Sequence, residues 1–386
     1  MRSVDIVIAG GGVVGLSSAI SMSLRNYKVM IIDKQSLELE NDKTSQRVYA
    51  INGLSQKLLQ SIDAWPQIDK NRIRTYQHMH VWDALSPTTS INFDARTIAA
   101  SHLGTIVDEA NLKHALINKA CKQKISLIDN STIELLYEKG DGIEIKANNE
   151  CYKAKLLIVA DGAHSKGREL LGINTTTWPY NQQAIVTTVE NTKPHQNTAY
   201  QVFNPDGPLA FLPLANEHQC SIVWSTTPNK AKDLMASSDA DFSRELTASF
   251  YHKLGKNNAI ARRHSFTLTM RHTKKYCGKN WILMGDAAHT IHPLAGQGLN
   301  LGLADLQCFL NLIDQHDCHW SPSTLQKYQR QRKSEVWKSI AIMEGLKKMF
   351  SSQNEPITKL REIGMKYIDK TDFLKRIFIE QAGTDF

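Results

Sequence analysis

Three short clusters of glycine and aspartate stand far apart in the chain, and the first carries residue types that bind a dinucleotide's phosphates and ribose. The first is Gly10-Gly11-Gly12-Val13-Val14-Gly15, with Asp33 about 20 residues further on. Gly10 permits a tight turn, Gly12 lets backbone N–H groups approach a pyrophosphate, and Gly15 lets a helix pack closely on a strand. The helix start then offers unpaired N–H groups and a partial positive charge to phosphates. A carboxylate at Asp33 accepts hydrogen bonds from an adenosine ribose. This pattern marks a dinucleotide site without separating FAD from NAD. The second cluster is Asp161-Gly162-Ala163-His164-Ser165-Lys166-Gly167-Arg168. Taken alone, an Asp-Gly at a strand end reads as a turn. The third is Gly285-Asp286-Ala287-Ala288-His289, and the run continues from His292-Pro293 through Gly298-Leu299-Asn300 to Asp305.

These clusters need strands and helices to hold them. Val4 to Ala9 is short, apolar and β-branched, as a buried parallel strand is. Val14 to Arg25 has helical length, and Lys28 to Asp33 is a second apolar strand ending in an acid. Together they predict a βαβ unit with a right-handed crossover. The uncharged stretch Ile6–Leu24 also has the outline of a signal peptide or membrane anchor, but Gly10-Gly11-Gly12 and four serines interrupt it. Lys155–Ala160 and Trp281–Met284 are further apolar strands, ending at Asp161-Gly162 and Gly285-Asp286. One discontinuous nucleotide domain follows. Ala199–Phe203 and Ser221–Trp224 alternate instead, which predicts an antiparallel sheet with one solvated or ligand-facing side. From about Leu306 the pattern is helical, broken at Ser321-Pro322 and Glu355-Pro356.

Asp161-Gly162, Ser165 and Arg168 match all four positions of the DGxxSxxR motif of the aromatic-hydroxylase flavoproteins, the para-hydroxybenzoate hydroxylase class. Gly285 to His289 resembles the GDAAH motif of the same class. The run from His292 to Asp305 is similar to that of the ubiquinone-biosynthesis ring hydroxylases (the UbiH/UbiF/VisC group). Gln46-Arg47-Val48-Tyr49-Ala50-Ile51 and Phe203 to Leu214 resemble further segments of that group. The resemblance spans about Val4 to Phe350. It implies that Gly10, Gly12, Gly15, Asp33, Arg47, Asp161, Gly162, Arg168, Gly285, Asp286, Gly298, Leu299 and Asn300 bind FAD, with Asp286 on the ribityl chain. The helix start near Leu299 and Asn300 would face the flavin N1/O2 edge, where charge develops on reduction. It implies catalytic roles for the Pro293 backbone, polarising a phenol, and for His289. Where the group often has Val-Glu-Asn, this chain has Val107-Asp108-Glu109, so a polar flavin contact from that helix is not expected.

The implied fold is α/β: a discontinuous Rossmann-like FAD-binding domain with a parallel sheet (1–75, 100–180 and 266–325), an antiparallel-sheet substrate domain (76–99 and 181–265), and a C-terminal helical region (326–386). The implied reaction is hydroxylation of a polyprenylated phenol in ubiquinone biosynthesis. NAD(P)H reduces FAD, and O2 forms a flavin C4a-hydroperoxide that attacks the ring. Rival readings are another flavoenzyme of this fold, such as a phenol-degrading hydroxylase or an isoprenoid reductase, and a non-catalytic carrier.

The chain has 386 residues, 41% apolar and 22% charged, which excludes wholesale disorder and a polytopic membrane protein. Forty-six Lys+Arg against 38 Asp+Glu give +8, which favours anionic partners. Six scattered cysteines form no CxxC pair, so zinc and dithiol motifs are absent and a reducing cytoplasm is expected. His289 and His292 lack a third ligand, and no metal is expected. Proton relay at His289 competes with simple packing at the flavin edge. The basic tail from Leu325 reads as a solvated helix face, with peripheral docking on an anionic membrane as the sharper alternative. A multi-enzyme quinone assembly is a further expected partner, and nucleic acid is not.

Overall fold

The computed structural model describes residues 2–38, 46–291 and 297–383. Its parallel sheet has the order Ser126–Ile128, Val29–Ile32, Arg2–Ala9, Glu150–Val159, Trp281–Leu283. Consecutive Ile6, Val7 and Ile8 are all fully buried, so both faces are covered. The hairpin Ile133–Lys139 and Gly142–Ala147 pairs antiparallel with the first half of Glu150–Val159. Trp281–Leu283 takes the second half of that edge. Helix α1 (Val13–Ser23) makes the crossover between the first two strands. A small sheet of Val48–Ile51, Gly104–Asp108 and Ile73–Tyr76 stands beside it, with α2 (Gly53–Ser61) and α3 (Glu109–Lys122).

After α4 (Lys166–Leu170) the chain enters a nine-stranded sheet. Its order is His289–Thr290, His264–Thr273, Thr175–Asn191, Gln219–Thr226, Gly207–Pro213, Thr198–Asn204, His78–Asp83, Ser86–Asp94. Asn257–Ala259 adds to Thr175–Asn191. All its pairs are antiparallel except Thr198–Asn204 with His78–Asp83. One face packs Leu209, Phe211, Ile222 and Trp224 against Phe242, Leu246 and Phe250, from α6 (Asp239–Ser249) and the residue after it; α5 (Pro228–Ala236) adds Ala231 and Leu234. Thr175–Asn191 and His264–Thr273 run through positions 180 and 265, so the chain passes between the two bodies on continuous strands.

Four helices close the chain: α7 (Gln297–Asp314), α8 (Pro322–Ser351), α9 (Glu355–Lys370) and α10 (Asp372–Gln381). Ser321 starts α8 with a capping box and Pro322 in its first turn. The helix buries Leu325, Tyr328, Arg332, Val336, Ile340, Met343 and Phe350, a stripe at helical spacing. Its first half joins the core of the parallel sheet through Leu325 and Tyr328. Its second half covers the open face of the large sheet, where Val336 and Ile340 meet Leu268 and Met270, and Met343 and Phe350 meet Val81 and Phe203. The helical tail is therefore a strut between the two bodies. Among the described residues no helix is long and apolar enough to cross a membrane.

Candidate active site

The glycine loop is built by close backbone contacts. Gly10 has φ +106°, and a Cβ there would lie 2.5 Å from the Ala160 carbonyl oxygen, on the neighbouring strand. A Cβ on Gly15 would lie 1.9 Å from the Gly10 oxygen. Gly12 differs: nothing lies within 4 Å of its Cβ position, so its open side faces space. It caps α1 in extended conformation with no side-chain cap, and no acid stands in the first turn. The N–H groups of that turn form an anion seat. Asp33 secures the loop. One of its oxygens accepts from the Gly11 N–H and the other from the Gln35 N–H at 2.7 Å, which leaves a second lone pair on each oxygen for hydroxyl donors.

The other two clusters meet this loop. Asp161 follows Ala160; its Oδ2 accepts from the Gly167 N–H at 2.9 Å, and its Oδ1 is buried without a partner. Gly162 has φ +86° and open space around its Cβ position. Ser165 caps α4 by accepting from the Arg168 N–H at 2.9 Å. The Arg168 guanidinium then donates to the Ala287 carbonyl at 3.0 Å and to Ala163 at 3.1 Å, tying the second cluster to the third. Val14 of α1, Gly285 and Gly302 of α7 touch one another, since a Cβ on Gly302 would lie 2.8 Å from Val14 Cγ2 and 3.1 Å from Gly285 Cα. Burial pushes the Asp286 carboxyl above its usual range, against the pull of His289, Arg47 and Arg271. A half-buried carboxylate so placed suits a ligand that brings hydroxyl donors.

His289 lies in a buried triad. Its Nε2 is 2.7 Å from Asp305 Oδ2, and the same oxygen accepts from the Gly285 N–H at 2.8 Å. Arg332 of α8 donates through Nε to Asp305 Oδ1 at 2.6 Å. Burial would raise the Asp305 carboxyl, but His289 and Arg332 outweigh it and hold it below the ordinary value. The Tyr328 hydroxyl donates to the Leu283 carbonyl at 2.7 Å, so α8 grips the strand before the Gly285 turn as well. The sequence reading gave no role to Asp305, Tyr328 or Arg332. Arg332 stood among tail cations, and nothing in a linear sequence separates a buried ion pair from a solvated charge.

Asn300 is buried, donating to the Ala50 carbonyl at 2.8 Å and accepting from the Asn52 N–H at 3.2 Å. Its side chain fastens α7 to the strand Val48–Ile51. Gly298 and Leu299 lie in the first turn of α7, where a Cβ on Gly298 would meet none of the described residues. The exposed Arg47 lies over the Tyr49 ring and 3.8 Å from Glu109. At the departure from the family pattern, Asp108 caps α3 and accepts from Arg72 at 2.7 and 3.1 Å, while Glu109 accepts from the Tyr49 hydroxyl. Pro293 and His292 lie outside the described residues.

The cradle fits a flavin dinucleotide: an uncapped helix start behind Gly12, the unpartnered Asp161 Oδ1, the Asp286 carboxylate and the open side of Gly298. Residues 3–342 match the family of FAD binding domains, and the chain belongs to that family of FAD-dependent monooxygenases. It is 30% identical to the 3-demethoxyubiquinol 3-hydroxylase of Escherichia coli, over 98% of each chain. It is 28% identical to the human mitochondrial ubiquinone biosynthesis monooxygenase COQ6, over 96% of this chain and 90% of that one. The solved p-nitrophenol 4-monooxygenase PnpA of Pseudomonas putida shares the fold, with TM-score 0.80 at 16% identity over 99% of both chains.

Proposed function

We propose that this enzyme hydroxylates the aromatic ring of a polyprenylated phenol in ubiquinone biosynthesis. The observation that carries the reading is the meeting of three distant glycine and aspartate turns at one end of the parallel sheet, within a chain similar along its whole length to quinone-pathway hydroxylases. When bound, FAD supplies hydride acceptance from NAD(P)H and activation of O2. The balance takes in NAD(P)H, a proton, O2 and a ring C–H, and releases NAD(P)+, water and a ring C–OH.

The chain binds, orients and excludes water. The α1 N-terminus behind Gly10, Gly12 and Gly15 holds the pyrophosphate, with Asp161, Gly162 and Arg168 beside it. Asp33 holds the ribose, and Gly285 and Asp286 the ribityl hydroxyls. Arg47, Gly298, Leu299 and Asn300 line the ring end. His289 acts as a positioning residue: with Asp305 it fixes the turn that aims Asp286. In Gly207–Pro213, half-buried Pro208, Ala210 and Leu212 alternate with buried Leu209 and Phe211, as in a strand with one ligand-facing side. The enzyme meets its substrate at a membrane surface and works beside other enzymes of the pathway.

The test is anaerobic reduction of the yellow holoenzyme with NADH, then O2 with a polyprenylated phenol. The expected product carries one added ring oxygen by mass spectrometry. Release of hydrogen peroxide alone, with every such phenol recovered unchanged, overturns the reading.

A further inference from the structure

Half of the exposed large apolar side chains in the described chain lie between Trp337 and Phe378. On α9 they form a stripe: Leu360, Ile363 and Tyr367 are 70%, 65% and 65% exposed, and their spacing of three and four puts them on one face. Ile357 extends it. The opposite face holds the helix in place. Arg361 is buried and donates to Asp83 at 2.7 Å, Met365 is buried beside Val81 and Ile91, and Asp369 accepts from the Asn92 N–H at 2.8 Å. The outer stripe is thus fixed outward by a packed inner face.

Lysines flank the stripe on the same helix. Lys359, Lys366 and Lys370, seven and four apart, run along one edge of the stripe. Lys359 and Lys366 pair with Glu355 and Glu362 at 2.7 and 2.5 Å on the solvent side, and Asp369 lies on the side turned to the sheet. Helix α10 prolongs the apolar surface with Phe373 at 69% exposure, while its Ile379 is buried. Its end returns to the active site. The Ala382 carbonyl accepts from Asn52 Nδ2 at 2.8 Å, and the Asn52 N–H donates to Asn300 at 3.2 Å. Two hydrogen bonds therefore separate this surface from the first turns of α7.

An apolar stripe with an aromatic at the water line and lysines on its flank suits a helix lying in a membrane interface. We propose that the outer faces of α9 and α10 dock this enzyme on an anionic bilayer. Leu360, Ile363, Tyr367 and Phe373 enter the headgroup–acyl boundary, Lys370 meets lipid phosphates, and Lys359 and Lys366 exchange their exposed partners Glu355 and Glu362 for phosphates, since such surface pairs are weak. The surface serves delivery of a lipid-borne substrate, and to that extent it rests on the function proposed above. Bilayer binding itself requires no turnover.

The experiment is flotation of the holoenzyme with vesicles of phosphatidylcholine, with and without phosphatidylglycerol. The holoenzyme is expected to float with the anionic vesicles, and less so at high salt. A variant carrying Leu360→Ser, Ile363→Ser and Tyr367→Ser is expected to lose about tenfold in bound fraction. It should keep its FAD, its melting temperature and its oxidation of NADH with a tail-less soluble phenol. A second variant, Lys359→Gln with Lys366→Gln and Lys370→Gln, should lose the preference for phosphatidylglycerol. Wild-type enzyme that stays off both vesicle types overturns the proposal. So does a triple serine variant that floats like wild type. A stripe that instead joins two copies would show as a dimer that the serine variant turns monomeric without vesicle binding, which also overturns it. Failure to hydroxylate any phenol, with flotation intact, would strike the catalytic reading alone.

Discussion

Gly12 and Gly15 stand three positions apart and are needed for opposite reasons. Gly15 is packed by protein, since its Cβ would sit 1.9 Å from the Gly10 oxygen, whereas the Cβ side of Gly12 meets none of the described residues. Gly15→Ala is expected to cost about 1 to 3 kcal/mol of stability even without cofactor. Gly12→Ala should leave the apoprotein within about 0.5 kcal/mol of wild type yet weaken FAD binding at least tenfold. Urea unfolding of the apoproteins and fluorescence titration with FAD separate the two; equal loss of stability in both would refute the assignment. A second residue-scale effect belongs to His272. Its Nε2 is buried without a partner, and burial, with help from Lys333 and His289, lowers its pKa from 6.5 to about 4. Between those pH values the unfolded chain binds a proton that the folded chain refuses, so stability falls as pH drops through that window, by up to about 3 kcal/mol. His272→Phe keeps a ring against Tyr276 and Trp337 and removes the titration. Its melting temperature should vary less than that of wild type from pH 6.5 to 4. The glycine spacing was legible because it sits as a local pattern between an apolar strand and a helix, although the contact that excludes a Cβ on Gly10 comes from Ala160 on another strand. His272 was not, because its environment is made by residues from another strand and α8.

At the scale of elements, α8 carries the most that the sequence concealed. Its stripe of Leu325, Tyr328, Val336, Ile340 and Met343 was present in the sequence, but the surrounding cations gave it the look of a solvated face. Several of those cations have protein partners: Arg332 on Asp305, Lys333 on the Lys274 carbonyl, Lys347 on the Tyr180 carbonyl. Because Arg332 neutralises a fully buried carboxylate, Arg332→Leu should destabilise by about 3 to 5 kcal/mol. The Gly285 turn should loosen with it, so FAD affinity falls although Arg332 does not touch the cradle's open side. Tyr328→Phe, which orphans one buried carbonyl, should cost about 1 to 2 kcal/mol. Denaturant unfolding and FAD titration of both variants check this. Wild-type FAD affinity in a destabilised Arg332→Leu protein would uncouple α8 from the site.

Across the whole molecule, the parallel sheet was legible because its strands are uninterrupted apolar runs that must be buried on both faces. The order of the nine-stranded sheet was not. Thr198–Asn204 pairs in parallel with His78–Asp83, and neither strand carries a mark of so distant a partner. The same long-range wiring makes FAD a ligand of the entire fold. The proposed cradle takes residues from the first strand and helix, from the end of Glu150–Val159, from the Gly285 turn and from α7, and α8 links these to the nine-stranded sheet. FAD at a hundredfold excess over its Kd should therefore add about 2.7 kcal/mol of stability, and the gain should appear at the same midpoint in every probe. Tryptophans report both bodies: Trp281 sits in the parallel-sheet core and Trp224 in the substrate sheet. With Trp281→Phe and Trp224→Phe used to assign the signals, both transitions are expected to rise together on adding FAD. Asp286→Ala, which removes the proposed ribityl acceptor, should abolish most of the rise in both. A shift confined to the Trp281 signal would mean that the substrate sheet unfolds on its own and that the α8 strut does not couple the two bodies.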